Sequence, residues 1–130
     1  MSRIALLCAF VSAAALAGPP AKVDQALLDK GKSAFSVNCA ACHGEKGDGT
    51  GPAAAALNPK PRNFTTEPFK QGDSPDAVFK TLSTGVTGTP MVAFAHLPED
   101  DRWALAHWVL ELRKGGKPAP AAAEKPKAKK

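Results

Sequence analysis

The chain has 130 residues, 44% of them hydrophobic and 22% charged, and a formal net charge of +5 at pH 7. Residues 114–130 carry six lysines and one acid, whereas residues 18–113 carry 10 basic and 11 acidic side chains. The length leaves room for one domain of roughly 95 residues, and the charge distribution excludes a basic nucleic-acid-binding face on that domain.

Residues 1–17 are predicted to be an export signal. A single charged residue precedes an apolar run, and Ala15-Leu16-Ala17 offers small side chains for cleavage. The run is too short to cross a bilayer as a helix, and an uncleaved anchor is the alternative. Cys8 would be removed with the signal, which leaves Cys39 and Cys42 as the cysteines of the mature protein.

A first helix is predicted from an N-cap at Asp24 to about Asn38, because apolar residues recur there at helical spacing. Gly31 is unfavourable inside a helix by about 1 kcal/mol relative to alanine. We therefore expect another helix to cross closely at this position. Phe35 lies one turn before Cys39, so the helix leads directly into the next motif.

The segment Cys39-Ala40-Ala41-Cys42-His43 has the C-x-x-C-H pattern of covalent c-type haem attachment. Its two thiols would add to the porphyrin vinyl groups, and His43 is placed to bind the iron. A disulfide or dithiol catalyst is one alternative, but it requires strands alternating with helices, and none is predicted. A structural zinc site is another, and only His96 and His107 remain to complete it. The motif thus predicts one covalent haem c with its iron.

The next segments are a long loop and a second helix. Residues 44–63 are rich in glycine and proline and are predicted to form a loop with one helical turn at 53–57. Ser74-Pro75-Asp76 has the pattern of a helix start, with a capping hydroxyl and a proline in the first helical position. We expect this second helix to end at Gly85.

A last helix is predicted from about Pro98 to Lys114, with acids in its first turn and Gly115 as its end. Its apolar side chains follow helical spacing at Leu105, Trp108, Val109 and Leu112. Strand patterns are absent from the sequence. The predicted fold class is therefore all-α, with three to four short helices wrapped around one haem.

The second axial ligand decides whether a haem iron carries electrons or reacts with a small molecule. Met91 is the only methionine after the signal and follows Gly88-Thr89-Pro90 in a loop, so we predict that it binds the iron. Packing in the core is its alternative role. We interpret His96 as a surface or haem-edge residue and His107 as a solvated residue on the exposed side of the last helix. An open iron position is the remaining alternative.

Residues 115–130 are predicted to be a disordered tail rich in Lys, Ala and Pro. The tail can contact an anionic membrane or an acidic partner, or it can simply keep the domain soluble. The predicted organisation is a signal over 1–17, a domain over 18–114 and this tail.

Over nearly all of residues 24–114 the chain resembles the class I c-type cytochromes that carry a single haem. The matching positions are the motif residues Cys39, Cys42 and His43, the distal ligand Met91, and the helix-crossing residues Gly31, Phe35, Leu105 and Trp108. The resemblance implies that the cytochrome c fold brings the first and last helices together at Gly31. It also implies that a proline carbonyl accepts a hydrogen bond from His43, and Pro52 is the candidate. Tyrosine is absent, so a haem propionate would contact Arg62, Asn63 or Trp103 instead.

If both His43 and Met91 bind the iron, no position is left for a substrate, so we expect an electron carrier that is not an enzyme. Its partners would be redox proteins, including membrane-bound complexes, and not nucleic acid. Haem attachment in this family takes place outside the cytoplasmic membrane, so we expect an exported, periplasmic protein, soluble or loosely membrane-associated. Two alternatives remain: a haem subunit permanently docked in a larger dehydrogenase or terminal reductase, and a five-coordinate sensor or peroxidase.

Overall fold

The computed structural model of the chain describes residues 18–115. Four α-helices lie in this range: α1 (Gln25–Asn38), α2 (Ala40–His43), α3 (Pro75–Thr84) and α4 (Glu99–Arg113), with a 3-10 turn at Ala54–Ala56. The same range contains no strand, so the prediction of an all-α fold is confirmed. The predicted signal at 1–17 and all of the predicted tail except Gly115 lie outside the described residues.

The helix ends follow from local capping. The Asp24 carboxylate accepts a hydrogen bond from the Leu27 N–H at 3.0 Å and starts α1. The Ser74 hydroxyl accepts one from the Ala77 N–H at 3.1 Å and starts α3. Such caps satisfy N–H groups that the first helical turn leaves without partners. Helix α1 ends at Asn38, and α3 ends just before Gly85. The predicted starts and ends of both helices are therefore confirmed.

Helices α1 and α4 cross at Gly31, as the sequence predicts. A Cβ atom added to Gly31 would lie 2.8 Å from the carbonyl carbon of Ala104 and from Cβ of Trp108, and closer still to the Ala104 oxygen. These atoms belong to the backbone or to the base of a side chain, so they could move only if the helices themselves shifted. Only glycine therefore fits this crossing, and its cost in helix propensity is offset by the close packing.

The core lies between α1, α3 and α4. Its largest fully buried side chains are Phe35 of α1 and Leu105 of α4. The buried cluster also contains Cys39, and Met91 packs against its edge. The segment that carries the C-x-x-C-H motif and the loop that carries the only described methionine therefore contact one apolar core.

Candidate haem site

Helix α2 fixes the spacing of the motif residues. The Cys39 N–H donates to the Phe35 carbonyl at 2.8 Å, and the His43 N–H donates to the Cys39 carbonyl at 2.9 Å. Cys39, Cys42 and His43 occupy positions i, i+3 and i+4, so they lie on the same side of this turn. The helix ends at Gly44, whose φ of 77° favours glycine.

Both cysteines of the motif are free thiols. Burial, together with the nearby Cys42, raises the pKa of Cys39 to about 12. A dithiol catalyst needs a thiol with a lowered pKa, so this environment does not suit one. No group of three or more His, Cys, Asp or Glu side chains that would suit a metal ion occurs between residues 18 and 115. The structure therefore supports neither the dithiol nor the zinc alternative.

The imidazole of His43 is held in one tautomer. Its Nδ1 lies 3.0 Å from the carbonyl oxygen of Arg62, which can only accept a hydrogen bond, so Nδ1 carries the proton. Burial lowers the pKa of His43, and the hydrogen bond to Arg62 opposes this effect. The side chain is only 9% exposed. A neutral imidazole with a lone pair on Nε2 is the form that binds a metal.

The acceptor for His43 is Arg62 and not Pro52, so the prediction for Pro52 is wrong. Pro52 is exposed, and the neighbouring Gly51 N–H donates to the Cys42 carbonyl at 3.2 Å. A Cβ on Gly51 would lie 2.6 Å from the Ala40 oxygen. This segment therefore packs against the backbone of α2, and the chain reaches the imidazole only ten residues later.

Three aromatic rings extend from the imidazole. Phe64 stacks on His43 with ring centroids 4.4 Å apart, and Phe69 stacks on Phe64 at 5.8 Å. Phe64 also packs edge-on against Phe35 of the core at 6.3 Å. Phe64 and Phe69 were not predicted to belong to the site, although two phenylalanines at the end of a Gly- and Pro-rich loop are a signal for ring packing.

Met91 lies in a loop whose backbone is fixed on both sides of it. The Met91 N–H donates to the Thr89 hydroxyl at 3.1 Å, and the Met91 carbonyl accepts from the Val86 N–H at 3.0 Å. The side chain is half-buried against the core cluster. No residue from 81 to 98 carries a formal charge, but the Arg102 guanidinium of α4 donates to Ser83 and to the Leu97 carbonyl at the two ends of this segment.

The two other histidines differ in exposure. His96 is exposed and lies near Phe94, with ring centroids 5.8 Å apart, as expected for a surface residue. His107 is half-buried, so the prediction that it lies on the exposed side of the last helix is wrong. Burial lowers the pKa of His107.

The three candidate partners for a haem propionate already bond within the protein. Arg62 donates to the Pro68 carbonyl at 2.6 Å. The Asn63 side-chain oxygen accepts from the Thr65 N–H at 2.9 Å, and the Trp103 indole donates to Glu99 at 3.3 Å. A propionate contact by any of them therefore stays a prediction.

The sequence model of the family described as "Cytochrome c" matches residues 28–113. The match covers both helices of the Gly31 crossing, the C-x-x-C-H motif and the loop with Met91. The chain belongs to the cytochrome c family.

A solved structure supports this assignment. A chain of the structure titled "Kuenenia stuttgartiensis reducing HAO-like protein complex Kustc0457/Kustc0458" is similar, with 39% sequence identity and a TM-score of 0.64. The alignment covers 68% of this chain but only 44% of that chain, so this protein spans less than half of its relative. No curated protein gave a match.

Membership of this family implies a covalently bound haem c, and the site fits that group. The two unpaired thiols at i and i+3 would form the thioethers, the neutral imidazole of His43 would bind the iron through Nε2, and the apolar core would pack against the porphyrin. The described residues therefore fit the haem c that the cytochrome c family binds. No helix of the described residues is long and apolar enough to cross a membrane.

Proposed function

We propose that this protein is an exported, mono-haem electron carrier with an iron that binds both His43 and Met91, and that it is not an enzyme. Cys39 and Cys42 form the two thioethers. The observation that carries the proposal is the 3.0 Å hydrogen bond from His43 Nδ1 to the Arg62 carbonyl, which leaves Nε2 as the ligating atom. The fixed backbone around Met91 supports the second ligand.

Bound haem c supplies the exchange of one electron at its iron. The residues of this chain would prevent small molecules from binding to that iron. His43 and Met91 would both bind the iron, and no position would then remain for oxygen or peroxide. Thioether sulfur and an apolar pocket both favour the ferrous state, so we expect a moderately high reduction potential.

The first test is an absorption spectrum of the haem-loaded protein, oxidised, reduced and then under carbon monoxide. We expect a weak band at the red end of the oxidised spectrum, low-spin bands after reduction and no response to carbon monoxide. A high-spin spectrum that shifts with carbon monoxide would contradict the proposal and favour the five-coordinate sensor or peroxidase.

Substitution of the distal ligand gives a second test. Met91→Ala should open the iron to carbon monoxide and lower the reduction potential by on the order of 0.1 V, because the axial ligand is a main determinant of that potential. His96→Ala is the matched control, since it removes the other donor of the same loop and should change neither property. An unchanged potential in Met91→Ala would remove Met91 from the mechanism.

Export is tested by the mass of the mature protein. After expression in a host that attaches c-type haem, we expect a chain that begins at Gly18 and carries the mass of one haem. Recovery in the periplasmic fraction would support the proposed location. An intact Met1 would contradict cleavage of the signal.

A haem subunit docked in a larger complex is the second candidate. The similar solved chain is part of a structure titled as a protein complex. Val37 is 82% exposed and Val92 is 61% exposed, and they are the large hydrophobic side chains that the described part of the chain exposes. One lies two residues before Cys39 and the other follows Met91. Exposed apolar groups beside the proposed haem favour contact with a partner protein.

A further inference from the structure

Helix α4 carries one arginine near each end, and both arginines hold other parts of the chain. Arg102 donates from Nε to the Leu97 carbonyl at 3.2 Å, and Arg113 donates from Nη1 to the Glu67 carbonyl at 2.8 Å. Each guanidinium also lies over a phenylalanine ring, at 4.8 Å for Arg102 and 5.2 Å for Arg113. The two residues thus make the same kinds of contact in different places.

The contacts of Arg102 surround the loop that carries Met91. This loop leaves α3 at Gly85, and Leu97 lies at its end, just before α4. Arg102 bonds to Leu97 and also donates from Nη1 to the Ser83 hydroxyl in the last turn of α3. The guanidinium therefore joins the end of the loop to the helix from which the loop starts.

Few other bonds hold the second half of this loop. The Phe94 N–H donates to the Leu82 carbonyl at 2.7 Å, and the Leu97 N–H donates back to Phe94 at 3.0 Å. Arg102 is half-buried, and its hydrogen bonds carry a charge, so they are stronger than those between neutral groups. Loss of Arg102 would leave the Phe94 contact as the main backbone bond between this half and α3.

Arg113 is connected to His43, the other proposed ligand, through two stacked phenylalanine rings. Arg113 lies over Phe69, which stacks on Phe64, which in turn stacks on His43. None of these contacts involves the segment from Gly85 to Leu97. Arg113 therefore provides a matched control on the same helix.

We propose that Arg102 is a positioning residue for Met91, which keeps the distal loop closed and the thioether in place. This inference rests on the proposed ligation by His43 and Met91. Arg102 acts through the loop: it ties Leu97 to Ser83, and the loop between them then has little freedom to move Met91 away.

The test is the rate at which imidazole binds the oxidised, haem-loaded protein, because imidazole can bind only after Met91 leaves. Arg102→Gln should accelerate this binding about tenfold, the ratio that corresponds to one charge-assisted hydrogen bond. Arg113→Gln should stay within about twofold of the wild type, because neither its hydrogen bond to Glu67 nor its contact with Phe69 involves residues 85–97. The Arg102→Gln protein should also have a weaker red-end band in its oxidised spectrum.

Denaturant unfolding of both variants separates positioning from general stability. We expect both substitutions to lower the free energy of unfolding, but only Arg102→Gln to accelerate imidazole binding. Equal acceleration in both variants, or none in Arg102→Gln, would overturn the proposal. If Arg102→Gln does not accumulate with haem, Ser83→Ala removes one of its partners and should accelerate binding in the same direction. An unchanged rate of imidazole binding in Ser83→Ala would also overturn the proposed role of Arg102.

The wild type and Met91→Ala distinguish this proposal from the proposed function. A wild type that binds imidazole as fast as Met91→Ala has no Met91 ligand, and the proposed function then fails. A slow wild type together with a slow Arg102→Gln variant leaves the ligation intact and contradicts only the role of Arg102.

Discussion

At the scale of single residues, His107 links the stability of the fold to pH. Burial lowers its pKa, an effect that Lys114 strengthens and Asp76 opposes. The unfolded chain, with a histidine pKa of about 6.5, therefore binds more protons than the folded one just below this pH. Stability should be lost as the pH falls below about 6.5. His107 is only half-buried and solvent screens its charge, so we expect it to contribute only a fraction of a kcal/mol to the free energy of unfolding.

The measurement is denaturant unfolding of the haem-loaded protein at pH 7.5 and pH 5. His107→Gln should lose less stability than the wild type over this interval, because glutamine does not titrate. His96→Gln is the control, since it removes an exposed histidine. The same loss of stability in the wild type and His107→Gln would contradict the role of His107.

The residues of the site were predictable to different degrees. The spacing of Cys39, Cys42 and His43 indicates haem because each contributes a side chain that the chemistry requires. The acceptor for His43 was predicted wrongly because every residue has a carbonyl group, and only the path of the chain selects Arg62 over Pro52. The roles of the ligands themselves stay predictions.

At the scale of the helices, the crossing at Gly31 gives a clear prediction. Gly31→Ala would stabilise an isolated helix by about 0.5 to 1 kcal/mol. In this fold the new Cβ would meet the Ala104 backbone and the Trp108 side chain. We expect a net loss of about 1 to 3 kcal/mol, as for other overpacked cores.

The measurement is the free energy of unfolding of Gly31→Ala in the haem-loaded form. The sign is decisive, because helix propensity and close packing predict opposite changes. A stabilised variant would show that α1 and α4 are not in contact at this position. The difference between Ser33→Ala and Ser33→Gly, at an exposed position of the same helix, measures the effect of propensity without the crossing, because both variants lose the hydroxyl that donates to the Asp29 carbonyl.

The helices were predictable because their signals are local. Asp24 and Ser74 cap the helices that follow them. Gly31 indicates a helix crossing because glycine is unfavourable inside a helix unless another backbone lies close to it. The loop after α2 was less predictable, because its glycines and prolines indicate that the chain turns but not which path it takes after the turn. The stack of Phe64 on His43 depends on that direction, and so the sequence did not predict it.

At the scale of the whole molecule, the fold brings the two proposed ligands to one core from separate directions. The α1–α2 segment carries His43, and the loop after α3 carries Met91. Helix α4 contacts both parts, through Gly31 and the core on one side and through Arg102 on the other. If the protein carries electrons as proposed, we expect it to exchange them with a partner at the surface nearest the proposed haem.

Val37 and Val92 are the side chains that we expect to contact such a partner. Burial of an exposed valine contributes about 1.5 kcal/mol or more, so Val37→Asp and Val92→Asp should each weaken partner binding about tenfold. The measurement is the rate at which membranes of the source organism oxidise or reduce each purified protein. Ala26→Asp is the control, because it adds the same charge to an exposed position about 16 Å from Val37 along α1.

The same variants bear on whether the protein is a free carrier or a docked subunit. In a carrier the two aspartate variants should be slower only below saturating concentrations of protein, since each encounter is brief. In a docked subunit, haem absorbance should co-elute with a larger assembly in an extract of the cell envelope, and Val92→Asp should release it. Aspartate variants that react as fast as Ala26→Asp would exclude Val37 and Val92 from the contact, and the partner would then bind elsewhere on the protein.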